Sequence, residues 1–271
     1  MSLLKAHRLY PEFLRVKQLL KQHQFVCWVA GGAVRDLVLG RDCNDFDLVT
    51  DASTENLKAI FPEALLVGEQ FGVLKLILKD GEHFDLTTFR QESDYEDGRR
   101  PSHVSSSTTT NDAGRRDFTV NALFWDDENE KLIDLVGGRA DLESKTLKAV
   151  GDPEVRFSED YLRILRLVRF AAQLNFNIDP RTEKAAAAKV SLVEKVSGER
   201  IWSELKKLKS SAEWNRALSS NLFKLICQEI FKTSFQVTPK LVESRRDQDA
   251  SAHLFFILSA LQFDSAQMKE K

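Results

Sequence analysis

Asp45 and Asp47 stand two apart in the run Asn44-Asp45-Phe46-Asp47-Leu48-Val49. On a strand both carboxylates face one way, while Phe46 and Leu48 face the other. Two carboxylates thrust together repel unless a cation neutralises them, and hard oxygen ligands suit Mg2+. Such a pair can hold two metal ions for phosphoryl transfer. The spacing alone is weak evidence, because a second Asp-x-Asp occurs at Asp247 and Asp249, where it reads as a solvated loop or cap. The neighbours lift the first pair. Gly31-Gly32 falls between an apolar stretch and a helix, where bare backbone N–H groups can approach a phosphate and the helix dipole favours anions. Arg35, one turn further on, could reach the same anion. Together these read as a nucleoside triphosphate site.

The elements that must carry these residues follow from local pattern. Residues 25–30 form a short apolar strand running into the glycines. A helix over 33–39 stops at Gly40, and residues 45–49 alternate as a strand. A helix spans about 54–61. Strands at 71–78 and 83–89 flank Lys79-Asp80-Gly81-Glu82, where Asp-Gly favours a hairpin turn. Residues 91–114, with the run Ser105-Ser106-Ser107-Thr108-Thr109-Thr110, read as a long polar loop. This predicts a small mixed sheet carrying helices, an α+β unit. The boundary falls at Val150-Gly151-Asp152-Pro153, giving domains at 1–150 and 151–271. The second domain is predicted all-α: Ser158 as N-cap, Glu159 and Asp160 in the first turn, and a long helix to about Asn175. Further helices are expected over 181–195, 199–210, 212–232 and 250–262.

Composition excludes several classes. The 271 residues hold 39 basic and 41 acidic side chains, and 42% are hydrophobic, which suits a globular chain. No apolar stretch approaches the length of a membrane span, and the amphipathic N-terminus is not a signal peptide. Cys27, Cys43 and Cys227 are too few for a disulfide framework or a cysteine zinc site, so a reducing, cytoplasmic setting is expected. Charge is unevenly distributed: the N-terminal half is acidic, the remainder basic. An acidic half could hold divalent metal and a basic half could bind a polyanion.

The stretch GGAVRDLVLGRDCNDFDLVT, residues 31–50, resembles the signature of class II nucleotidyltransferases of the polymerase-β superfamily. That group comprises bacterial CCA-adding enzymes and poly(A) polymerases. YEDGRRP at 95–101, RRDFTVNAL at 115–123, EDYLRILRLVRFAAQLNF at 159–176 and ERIWSELKKL at 199–208 follow in the family's order. The resemblance implies a nucleotidyltransferase head with a small mixed sheet, then all-α neck and body helices and a shortened C-terminal tail. It implies that Asp45 and Asp47 hold the catalytic Mg2+ ions, with Gly31, Gly32 and Arg35 on the triphosphate. Asp85 is either a third acidic group of the site or a surface strand carboxylate.

In the same reading Arg115, Arg116, Asp117 and Asn121 contact the incoming nucleotide, and their chemistry suits ribose hydroxyls and phosphate. Asp160 and Arg163, three apart, share a helix face. Cytosine and adenine both present an amino donor beside a ring-nitrogen acceptor. A carboxylate and a guanidinium therefore bind either, while uracil and guanine leave the carboxylate facing a carbonyl. Glu159 would brace Arg163, and Arg166 and Arg169 could meet nucleotide or primer phosphate. The implied substrates are CTP and ATP, and the implied partner is the 3′ end of tRNA or another RNA, with no membrane.

Gly68-Glu69-Gln70-Phe71-Gly72-Val73 resembles the CCA-adding side of the family rather than the poly(A) polymerases. The retained segment 94–101 resembles the family's flexible loop, which implies that the terminal A is added. The Ser/Thr run replaces the apolar positions usual after that loop. About 60 residues follow Lys209, fewer than the family's body and tail, which leaves three readings: a reduced grip on tRNA, a smaller substrate, or short helices that suffice. An A-adding-only enzyme, a poly(A) polymerase and a non-catalytic RNA-binding relic are the alternative readings.

Overall fold

The computed structural model describes residues 2–43, 46–67, 73–78, 81–95, 101–211 and 213–231, and the chain divides into two compact units, Met1–Asp152 and Pro153–Lys271. The first unit runs α1 (Ser2–Ala6), α2 (Tyr10–Gln22), β1 (Trp28–Ala30), α3 (Gly32–Val38), β2 (Asp47–Thr50), α4 (Thr54–Ile60), β3 (Leu65–Val67), β4 (Val73–Ile77) and β5 (His83–Thr88). It continues with β6 (Arg90–Tyr95), β7 (Pro101–Ser106), α5 (Thr109–Arg115), β8 (Leu123–Asp126), β9 (Lys131–Asp134) and α6 (Gly138–Glu143).

Seven strands form one mixed sheet in the order β3-β4-β5-β2-β1-β8-β9. Only β2 and β5 run parallel, in a register that sets Asp47 beside Asp85; the other neighbours are antiparallel. The period of two explains the layers. Leu48, Leu74, Leu76, Phe84 and Leu86 are buried on one face, where Phe46 lies between the rings of Phe13 and Phe84. The other face buries Ala30, Val49 and Phe124 against Phe89, Ala113, Ala122 and Val150. Beyond that cluster the same face opens towards Asp47, which is exposed.

Ser53 caps α4 by accepting from Asn56 N, and Thr108 caps α5 by accepting from Asn111 N. Gly138 has a steric reason to be glycine: a Cβ there would lie 2.8 Å from the Thr119 carbonyl carbon, closer still to its oxygen. α6 can therefore press on the single 3-10 turn Thr119–Asn121. Asp134 fixes the start of that helix, its carboxylate accepting from the backbone N–H groups of Val136, Gly137, Gly138 and Arg139.

The region expected as a polar loop, 91–114, is instead a hairpin followed by a helix. β6 and β7 pair antiparallel from Arg90↔Ser106 to Tyr95↔Pro101, and α5 begins within the Ser/Thr run. A two-stranded ribbon needs no apolar alternation, so its sequence carries none.

The second unit contains α7 (Pro153–Glu159), α8 (Leu162–Leu174), α9 (Pro180–Ala188), α10 (Gly198–Lys209), α11 (Trp214–Ser219) and α12 (Asn221–Phe231). Three expectations are corrected. The helix drawn from Ser158 to Asn175 is two helices broken at Asp160-Tyr161. Ser158 is not its cap but lies inside α7, its hydroxyl donating to Glu154 O. The helix drawn over 212–232 is interrupted at Ser220, whose hydroxyl accepts from Phe223 N and starts α12. Residues 189–195, drawn as helix, end in a 3-10 segment, Val190–Lys195. The helix expected at 250–262 and the pair Asp247 and Asp249 lie outside the described residues.

The thiols of Cys27, Cys43 and Cys227 are buried, and burial pushes the Cys27 thiol up to about 12. Among the described residues no helix is long and apolar enough to cross a membrane.

Candidate active site

The first unit gathers the polar side chains of four separate stretches at the end of β1. Gly31 has φ +70, a conformation L side chains rarely adopt, and a Cβ there would stand 2.9 Å from Arg116 Nη1 and 3.9 Å from Asp47 Oδ2. Glycine thus lets an arginine and a carboxylate approach the same turn. Its N–H donates to Leu123 O at 2.9 Å, so it is a sheet bond and not a bare phosphate donor. This corrects the expected role of that N–H. A Cβ at Gly32 would make only ordinary contact, 3.6 Å from Arg35 Nη2.

Arg35 is buried rather than extended into solvent. Its Nε and Nη2 donate to Asp36 Oδ1 (2.9 Å) and Oδ2 (2.8 Å), and Nη1 donates to Asn121 Oδ1 at 2.6 Å. Asn121 Nδ2 in turn donates to Asp117 Oδ1 at 3.1 Å, an oxygen that also accepts from Phe118 N. Each polar group here is desolvated and matched, which is the condition for burying it at all.

Arg115 and Arg116 share one partner that the sequence reading did not single out. Asp112, with no exposed side-chain surface, accepts from Arg115 Nη2 at Oδ1 (2.6 Å) and from Arg116 Nη2 at Oδ2 (3.0 Å). Burial alone would raise its pKa, but the charges of Arg116 and Arg115 outweigh it and hold the carboxyl below its ordinary value. Arg116 Nη1 also donates to Asn121 O at 3.1 Å, and its guanidinium lies 4.8 Å from the Phe124 ring centre. The i,i+3 and i,i+4 spacing of Asp112 to the two arginines was the available signal.

Asp45 lies outside the described residues. Among the described residues no group of three or more His, Cys, Asp or Glu side chains is placed to hold a metal ion. Asp47 is an exposed oxygen ligand at the start of β2, and Asp85 sits beside it in register with 41% of its side chain exposed. The donor set present is therefore hard and anionic, as Mg2+ requires.

In the second unit the break at Asp160-Tyr161 arranges a different cluster. Glu159 ends α7 and its Oε2 accepts from Arg163 Nη1 at 2.7 Å, while Oε1 pairs with Arg156 Nη2 at 2.9 Å. Asp160 does not lie on a helix face with Arg163. It precedes α8, accepts from Leu162 N at 3.1 Å, and pairs through both oxygens with Arg200 Nη2 at 2.9 and 3.1 Å. Arg200, within the motif ERIWSELKKL, was missed as a site residue. Arg169 is 5% exposed, bonded to Glu204 and Gln173 and 3.7 Å from the Phe170 ring centre. Its guanidinium is committed to that buried set, which corrects its expected role on phosphate. Arg166, 30% exposed, stands 3.8 Å from Glu204 Oε1.

The comparisons agree with this architecture. Residues 27–148 match the poly A polymerase head domain, and residues 175–229 match the probable RNA and SrmB-binding site of polymerase A. The CCA-adding enzyme of Lactococcus lactis subsp. cremoris is 42% identical over 222 residues, covering 80% of this chain and 55% of that protein. The CCA-adding enzyme of Bacillus licheniformis is 42% identical over 213 residues, covering 78% and 53%. The crystal structure of the Bacillus stearothermophilus CCA-adding enzyme in complex with CTP superposes with a TM-score of 0.77 at 31% identity, covering 96% of this chain and 64% of that one. A mixed-sheet head with its glycine turn beside an acidic strand, followed by helices, defines the polymerase-β type of nucleotidyltransferase. The chain belongs to the CCA-adding enzyme and poly(A) polymerase family, and it spans about half the length of the curated relatives it matches.

Proposed function

We propose that this protein is a template-independent RNA nucleotidyltransferase that adds C and A to the 3′ end of tRNA from CTP and ATP. The observation that carries the reading is the meeting of Gly31, Arg116 and Asp47 at one turn, which sets an anion-binding side and a metal-binding side within a few ångströms. Mg2+ held by Asp45 and Asp47 would supply charge neutralisation and a more acidic nucleophile. The RNA 3′-oxygen then forms a bond to the α-phosphorus, the α–β bridging bond breaks, the hydroxyl proton leaves, and pyrophosphate departs. Arg116 faces the triphosphate. Arg35 holds Asn121 rigid, and Asn121 and Asp117 present donor and acceptor atoms to the sugar.

Base choice falls to the start of α8. Arg163 donates to the ring nitrogen of cytosine or adenine, and Asp160 accepts from the amino group. Glu159 holds the guanidinium in plane, which is pre-organisation for a two-point contact. A cytoplasmic setting suits three buried thiols and a tRNA substrate.

The test incubates the full chain and Mg2+ with tRNA transcripts ending before CCA, after C and after CC. Each receives CTP, ATP, both, or UTP and GTP, with Asp47→Ala alongside. Three additions from CTP plus ATP are expected, and Asp47→Ala should lower incorporation by about 10³-fold or more with the fold unchanged. A single A on the CC-ended RNA alone would make it an A-adding enzyme, and a long ATP ladder a poly(A) polymerase. Equal, null activity of wild type and Asp47→Ala would leave an RNA-binding relic.

A further inference from the structure

Resting on that transferase reading, we propose that Lys75, oriented by His83, binds the phosphodiester on the 5′ side of the RNA's terminal nucleotide. Across the open sheet face one register row runs Ala30, Asp47, Asp85, Lys75, Leu65, from β1 through β2, β5 and β4 to β3. In-line displacement puts the attacking hydroxyl and the departing pyrophosphate on opposite sides of the reacting phosphorus. The guanidinium beside Gly31 lies on the β1 side of Asp47, which assigns the pyrophosphate to that side. The RNA end therefore comes over β5 and β4.

Among the described residues Lys75 is the cation in that register row. Strands lie about 4.8 Å apart, so its Cα is about 10 Å from that of Asp47, and its flexible side chain covers the remainder to a phosphate one nucleotide back. Its Nζ donates to His83 Nε2 at 3.0 Å and is 3.7 Å from Asp85 Oδ1. The carboxylate is thus near enough to attract the ammonium without forming a hydrogen bond, and Asp85 Oδ1 is buried with no hydrogen-bond partner among the described residues. An ammonium with three N–H donors keeps donor capacity for a phosphate oxygen. Leu65, Val67 and Ile77, all exposed on the same face, offer apolar surface beside it for a base or sugar.

The experiment measures anisotropy of a labelled tRNA transcript ending in CC, with wild type, Lys75→Met, Lys75→Arg and the surface control Lys131→Met. Lys75→Met is expected to weaken RNA binding about 3–10-fold and to lessen the slope of log K against log salt by about 1. Its KM for ATP should stay unchanged, and Lys75→Arg should recover most of the affinity. A methylphosphonate at the last linkage should weaken binding to wild type and not to Lys75→Met. Unchanged affinity in Lys75→Met, an equal loss in Lys131→Met, or no RNA binding by wild type overturns the proposal. A wild type that binds RNA and extends nothing fails the transferase reading instead, while the Lys75→Met affinity still decides this one.

Discussion

The two arginine–carboxylate clusters are built in opposite ways. In the first unit Asp36, Arg35, Asn121 and Asp117 come from α3, the Thr119–Asn121 turn and the chain before it, and interlock across 86 residues of sequence. Arg35 and Asp112 have almost no exposure there. In the second unit Glu159 meets Arg163 four residues on, and Asp160 meets Arg200 with about a fifth of each side chain exposed. A buried interlocked set cannot change partners without leaving a charge unpaired, whereas the Asp160–Arg200 pair, partly open to solvent, exchanges a partner for water or a base edge at smaller cost. Rigidity is therefore placed around the turn proposed to face phosphate, and adaptability at Asp160, the carboxylate proposed to accept from the base.

Stability measurements can break this contrast. Asp112→Asn should have the largest effect, about 2–4 kcal/mol at pH 7 by chemical denaturation, because two arginines lose their counter-charge. The pH dependence has a defined sign. The folded carboxyl sits below its ordinary value, so its stabilisation is complete above the unfolded value of about 3.9 and is lost as pH falls through the lower folded one. Asp112→Asn should flatten the acid limb of stability below pH 4. Asn121→Ala comes next, at about 1–3 kcal/mol, since it strips an acceptor from buried Arg35 and a donor from Asp117. Arg200→Ala should cost less than about 1 kcal/mol yet narrow discrimination of ATP over GTP in single-turnover assays. A cost for Arg200→Ala equal to that of Asp112→Asn would erase the distinction between the clusters.

How much of this was legible follows the same division. Periodicity marks the strands around Asp47 and the helix ending at Gly40, because those elements bury one face and their residue types must alternate. The hairpin at β6 and β7 has no such face to mark it. The break at Asp160-Tyr161 is a capping event: one carboxylate bonding Leu162 N ends the continuity of an otherwise helical run. Candidate groups such as Arg116, Asp117 and Asn121 are conspicuous by type. Their partners Asp36, Asp112 and Arg200 are ordinary charged residues in sequence, and only the fold reveals which guanidinium each one holds.

The interior strand β1 has one neighbour close in sequence and one far away: β2 begins at Asp47, while β8 begins at Leu123. As the chain leaves the ribosome from its N-terminus, the glycine turn exists long before Leu123 O can accept from Gly31 N or Asn121 can receive Arg35. Until then that edge of the strand and the Nη1 side of the Arg35 guanidinium await their native partners. Formation of the site is a late, long-range event, so this half of the protein should fold slowly and profit from any factor that shields an unpaired strand edge during synthesis.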